Sequence, residues 1–237
     1  MIISKKDWSN YINRLSALNI VAAKKMEHYI VENPTATIYD LIVYATALVN
    51  KYGEGSAELA CQMYDAIAEL QRVQIKPAEP AKVATKSEIA KAMIGAELSS
   101  PEQNAGIVGR MVKQAGADTM LQNARRDGAY FAWIPSGDTC AFCMAIASRG
   151  WRRASKKTVQ GDHAKHIHTN CNCEFIIDFK GGLEIEGYDP DSLREKYDNA
   201  EGVKPKDKIN YLRRQHYAAN KDAINAQKRE AYAKNKE

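Results

Sequence analysis

Apolar residues recur at three- and four-residue steps through the first half of the chain, a spacing that predicts helices rather than strands. Trp8, Tyr11, Ile12, Leu15, Leu18, Ala22, Met26, Tyr29 and Ile30 draw one stripe. Ser4 and Asp7 stand before it at capping-box spacing, and Asn33-Pro34 closes it. A second stripe, Ile38, Leu41, Ile42, Ala45, Leu48 and Val49, predicts a helix over 37–51 with Gly53 as its stop. A third, from Leu59 through Met63, Tyr64 and Ile67 to Leu70, predicts a helix over 56–72. Cys61 lies beside this stripe and reads as a small packing residue. Between Gln74 and Thr85 the period fades around Pro77 and Pro80, which reads as a linker or crossover. Helical spacing resumes over 87–98, and again from Pro101, a favourable first-turn residue, towards Arg126.

The pattern then changes. Tyr130-Phe-Ala-Trp-Ile134 is aromatic and branched, ends at Pro135-Ser-Gly137, and predicts a strand. Glu174–Phe179 predicts a second strand, stopped by Gly181-Gly182. Asp189-Pro190-Asp191 opens a short helix to about Asn199, and a long polar helix follows from Lys206. The predicted fold is mostly α with a small α+β module. It divides into a helical N-terminal region (1–126), a cysteine/histidine-rich α+β module (127–182) and a polar, basic helical tail (183–237).

With 237 residues, 45% hydrophobic and 27% charged, the chain is long enough to bury a core without staples, and a disordered or collagen-like class is excluded. The longest apolar run, Leu41 to Val49, falls short of the ~18 residues of a membrane span. The first residues lack the apolar core of a signal peptide, so no membrane association and synthesis in the cytoplasm are expected. A net charge of +5 is modest, but it is unevenly placed. Val203 to Glu237 carries ten Lys or Arg against four Asp or Glu, leaving the rest of the chain near neutral. A second basic stretch holds Arg149, Arg152, Arg153, Lys156, Lys157 and Lys165 against Asp162. Each patch reads either as a solvated face or as a contact to an acidic partner or DNA phosphates, and a DNA-binding module without catalysis is one functional class this allows.

Candidate chemistry lies between the two predicted strands. Cys140-Ala-Phe-Cys143 is followed after 24 residues by His168-Thr-Asn-Cys171-Asn-Cys173. A C-x-x-C turn lets two thiolates converge on one tetrahedral ion, and an H-x-x-C step does the same from a returning segment. Soft thiolates favour zinc, in a structural role. Five candidate ligands are one too many, and two arrangements remain open. If the strand already includes Cys171 and Cys173, both reach inward from one face. If the ladder begins only at Glu174, His168 and Cys171 are the natural partners of the C-x-x-C pair. Buried thiols without metal, disulfides, and a redox C-x-x-C at the start of a helix over 142–148 are the competing readings.

The runs "IPSGDTCAFCMAIASRGW" and "HIHTNCNCEFII" resemble the cysteine–histidine module of phage Mu F-like minor capsid (head morphogenesis) proteins. Cys140, Cys143, His168, Cys171 and Cys173 match that family's positions, as does Ser148-Arg149-Gly150. Thr169 stands where many members have proline. The resemblance implies a structural, non-enzymatic protein inside the phage head, near the portal or inner capsid wall, aiding head assembly or DNA delivery. The implied partners are the portal or the major capsid protein; the charge of the basic loop and tail, read by itself, adds packaged DNA as a further expected partner. The enzymatic rival is an HNH-like metal-dependent nuclease built on Asp162, His163, His166, His168 and Asn170. Those histidines crowd into one six-residue stretch with no later helix to carry a second metal ligand.

Overall fold

The computed structural model describes residues 2–95, 101–135, 140–160, 167 and 173–234. Among these it is mostly α with a small α+β region, as the periodicity predicts. By their own contacts the residues form two compact units. One comprises Met1–Ile134 with Trp151–Tyr188, the other Pro135–Gly150 with Asp189–Glu237.

The first unit is built on α1 (Lys5–Glu32), α2 (Ile38–Leu70), α3 (Lys86–Ile94) and α4 (Pro101–Asp127). Ser4 caps α1 by accepting the Asp7 N–H at 3.1 Å, and Thr37 and Thr85 form reciprocal capping boxes with Asp40 and Glu88. The second and third predicted helices are one. Gly53 does not stop α2 but lies buried inside it, where a Cβ would meet Val83 Cγ1 at 2.9 Å. The glycine is there for the close approach of the crossover, and helical hydrogen bonding carries the chain through.

Helix α4 packs against both α1 and α2 and buries residues around most of its circumference. That explains its weak sequence periodicity, since a helix enclosed on several sides has no single apolar stripe. Two of its glycines lie where a side chain would be crowded, tightly at Gly109 and prohibitively without a shift at Gly116. A Cβ at Gly109 would lie 3.1 Å from the Asn19 carbonyl oxygen, and one at Gly116 would lie 2.7 Å from Ser56 Oγ. The core around α4 gathers Met26, Ile42, Val49, Ile89, Met93 and Val108.

The predicted crossover is an extended strap, and α4 holds its main chain with polar side chains. Asn123 Oδ1 accepts the Glu79 N–H (3.0 Å) and Thr119 Oγ1 accepts the Ala81 N–H (2.9 Å). Gln122 and Asn123 amides donate to the Glu79 carbonyl, and the Arg126 guanidinium donates to the carbonyls of Lys76 and Pro77. From α2, Asp65 accepts the Ala78 N–H at 2.9 Å. These bonds satisfy an extended backbone that has no strand partner.

Two small sheets complete the unit. β2 (Tyr130–Ile134) is central, with β3 (Arg152–Arg153) and β4 (Glu174–Asp178) antiparallel on either side. The β2–β4 ladder pairs Tyr130 with Asp178 and Ile134 with Glu174, and it sets Trp133 edge-on against Phe175 at 4.3 Å between ring centroids. A parallel bridge joins β1 (Ile2–Ile3) to β5 (Glu184–Ile185). A short helix, α6 (Lys156–Gln160), follows β3.

The second unit holds α5 (Ala141–Ala147), α7 (Pro190–Asp198) and α8 (Pro205–Lys234), which contact one another. Asp189 caps α7, with Pro190 in its first turn. Cations close two helix ends. Arg194 Nε donates to the Ser148 carbonyl after α5 at 3.2 Å, and Lys208 Nζ donates to the last carbonyls of α7, at Tyr197 (3.3 Å) and Asp198 (2.7 Å). No helix among the described residues is long and apolar enough to cross a membrane.

Candidate functional site

The C-x-x-C pair forms the entry to α5. Cys140 is its N-cap, with extended backbone at φ −63°, ψ 154°, and its Sγ accepts the Cys143 N–H at 3.5 Å. Cys143 is buried and Cys140 half-buried. The far end of α5 explains the Ser148-Arg149-Gly150 run. Ser148 Oγ donates back to the Ala145 carbonyl at 3.0 Å, and Gly150 takes φ +64°, a left-handed turn that ends the helix.

In the first unit, the ladder of β4 begins at Glu174, with Cys173 buried just before it. That is the arrangement in which His168 and Cys171 are the expected companions of Cys140 and Cys143. His168 and Cys171 themselves lie outside the described residues, as do the nuclease candidates Asp162, His163, His166 and Asn170, and the basic Lys165. Among the described residues no group of three or more His, Cys, Asp or Glu side chains is placed to hold a metal ion. The donor set suits zinc as far as it is described: two soft sulfurs one helical turn apart, presented by a single capped turn.

All five residues of β4 are buried, including the charged ones at both ends. Lys113 Nζ of α4 meets Glu174 Oε1 at 2.7 Å, both side chains about 5% exposed. At the other end, Asp178 accepts the side-chain amide of Gln71, the C-cap of α2 (2.6 Å), and the N–H groups of Lys180, Gly181 and Leu183. Polar side chains from two helices therefore anchor the strand that follows the second cysteine cluster. Tyr11 is pushed well above the usual phenol range, first by burial and then by the negative charge of Glu174. Burial, with Glu58 and Asp65, raises the Cys61 thiol to about 11, so it remains protonated as a packing residue in α2.

The family model described as VG15 protein matches residues 2–200, spanning the helical region and both cysteine clusters. The chain belongs to the VG15 family. VG15 proteins are viral, which narrows the reading to a phage or viral protein. No curated protein and no solved structure matches the chain.

Sequence reasoning missed several polar side chains of this VG15 protein that act through burial. Lys113 follows Met111-Val112 at an inward α4 position, and only a full accounting of that helix's faces marks it. Asp178 carried a clearer signal, an acid three residues before Gly181-Gly182, where a tight loop needs its N–H groups satisfied. A cleft of about 390 Å³ between strap and α4 is lined by Lys82, Glu88, Arg110, Gln114 and Asp118 among others. Burial raises the Asp118 carboxyl to about 6, the Gln114 amide opposes this at 2.8 Å, and the charge of Glu88 adds to it.

Proposed function

We propose that this VG15 protein is a non-enzymatic structural component of a phage or prophage head. It sits inside, near the portal or the inner capsid wall, and aids head assembly or DNA delivery, with the portal or the major capsid protein as its partner. The observation that carries this reading is the VG15 match over residues 2–200, together with the resemblance of the C-x-x-C and H-x-x-C-x-C runs to a minor capsid module. The anchoring of β4 at both ends is in keeping with a structural role, because those buried polar groups brace the strand.

Zinc in this reading is structural and is held by four of Cys140, Cys143, His168, Cys171 and Cys173. The ladder starting at Glu174 favours Cys140, Cys143, His168 and Cys171, with Cys173 in the core. Bound metal would supply folding energy to the segments that carry its ligands.

Fractionation of phage particles tests the placement. The protein is expected in purified filled heads, protected from protease until the heads are opened, and a nonsense mutant should accumulate empty or aberrant heads. Absence from purified heads would overturn the reading, and so would a nuclease activity of the purified chain that His163→Ala abolishes.

A further inference from the structure

Helix α8 carries eight Lys or Arg and three Asp or Glu in 30 residues. One cation is used internally, since Lys208 closes the end of α7. Lys206, Arg213, Arg214 and Lys221 are exposed. At 3.6 residues per turn they fall, with Asn210 and the exposed Tyr217, in one sector of about 100°, while Asp207 and Asp222 fall outside it. Half-buried Ile209, Leu212 and His216 occupy the neighbouring sector. None of the four cations has a carboxylate three or four positions away, so the intrahelical ion pairs that neutralise an ordinary solvated helix are missing here. The result is a strip of positive charge about 22 Å long, at 1.5 Å per residue from Lys206 to Lys221.

We propose that this sector of α8 is a contact for the phosphate backbone of duplex DNA, without sequence preference. The proposal rests on the placement inside the head, where packaged DNA is the surrounding polyanion. Duplex DNA presents a negative charge every ~1.7 Å of its axis, so a rigid strip of this length faces several phosphates at once. Arg and Lys, interleaved with Tyr and Asn, are side chains that engage phosphate oxygens.

The test uses the full chain and a fluorescent 30-base-pair duplex of random sequence, titrated from 50 to 200 mM KCl. Four released counterions give a log–log slope of about −3 to −4, an affinity loss of about 100-fold across that range. Arg214→Gln with Lys221→Gln should reduce the slope by about 2 with helicity by circular dichroism unchanged, since Gln is a good helix former. Arg153→Gln with Lys157→Gln, in the other basic patch, should leave the slope as it is. The α8 assignment is overturned by no retention at 50 mM KCl, by a slope the α8 variant keeps, by a slope that falls only in the control, or by tighter binding to polyglutamate than to DNA at equal charge. None of these results touches the head placement, which particle fractionation decides separately.

Discussion

Asp118→Asn should stabilise the protein at neutral pH and leave its stability unchanged in acid. The carboxyl lies in the cleft between strap and α4, where burial raises its pKa from the ordinary 3.8 to about 6 and Glu88 of α3 adds to the rise. Lys82 of the strap and Arg110 of α4 also face the cleft, and the Gln114 amide donates to the carboxylate. Because the folded-state pKa is raised, the folded chain holds this proton more tightly than the unfolded one. The stability so conferred is complete below about pH 3.8, falls as pH climbs through 6, and is lost above. A shift from 3.8 to about 6 corresponds to about 3 kcal/mol at about 1.36 kcal/mol per unit, and solvent in the open cleft trims this to about 1–3 kcal/mol. Asparagine keeps a carbonyl for Gln114 and has no charge to desolvate. Urea unfolding of both proteins at pH 4.0 and 7.5 checks the claim, with a gain of about 2–4 °C in Tm per kcal/mol as a second readout. Equal effects at both pH values, or a variant less stable at pH 7.5, would refute the assignment of a desolvated carboxylate.

Lys113→Met should cost about 3–5 kcal/mol because it removes the cation that meets Glu174 Oε1 at 2.7 Å inside the core, and adding Glu174→Leu should recover much of that; chemical denaturation of the single and double variants measures the coupling. Gly116→Ala should lose about 1–3 kcal/mol despite its better helix propensity, since a Cβ there meets Ser56 Oγ at 2.7 Å, and a thermal melt no lower than that of the parent would contradict the packing. For the metal, elemental analysis of the purified chain should find about one zinc per chain in the tetrahedral reading. Cys140→Ser or Cys171→Ser should abolish it and Cys173→Ser should not. Zinc lost only in the Cys173 variant would reverse the proposed ligand choice.

The helical half of this fold was legible because its caps and stripes agree. Ser4, Thr37, Thr85 and Asp189 each cap the helix predicted after them, and β2 runs over the five residues its aromatic pattern marks. What escaped was contact between distant segments. Gly53 has the appearance of a helix stop in isolation, and only the approach of Val83 from the crossover reveals why it is glycine. The β1–β5 bridge joins residues about 180 positions apart through two-residue strands, too short for any period to register. At the candidate metal centre the cysteine spacing was readable from C-x-x-C chemistry, and the structure adds the N-cap role of Cys140 and the start of the ladder at Glu174. The buried partners Lys113 and Asp178 were hidden for the reason that makes them effective: a charge inside a core defies the rule by which sequence patterns are read.

The strap has a consequence for how this chain can drift. Helix α4 and Asp65 grip Lys76–Ala81 solely by main-chain N–H and C=O groups, and the two prolines fall at 77 and 80, positions whose nitrogen no partner uses. Apart from the Lys76–Glu79 ion pair, a lineage can therefore rewrite the side chains of 76–81 without losing any of the bonds that grip the strap. Proline at 78, 79 or 81 would remove a gripped N–H at once. The constraint that would ordinarily be visible in the strap has been moved to Thr119, Gln122, Asn123 and Arg126, four residues on one face of a helix more than thirty positions away.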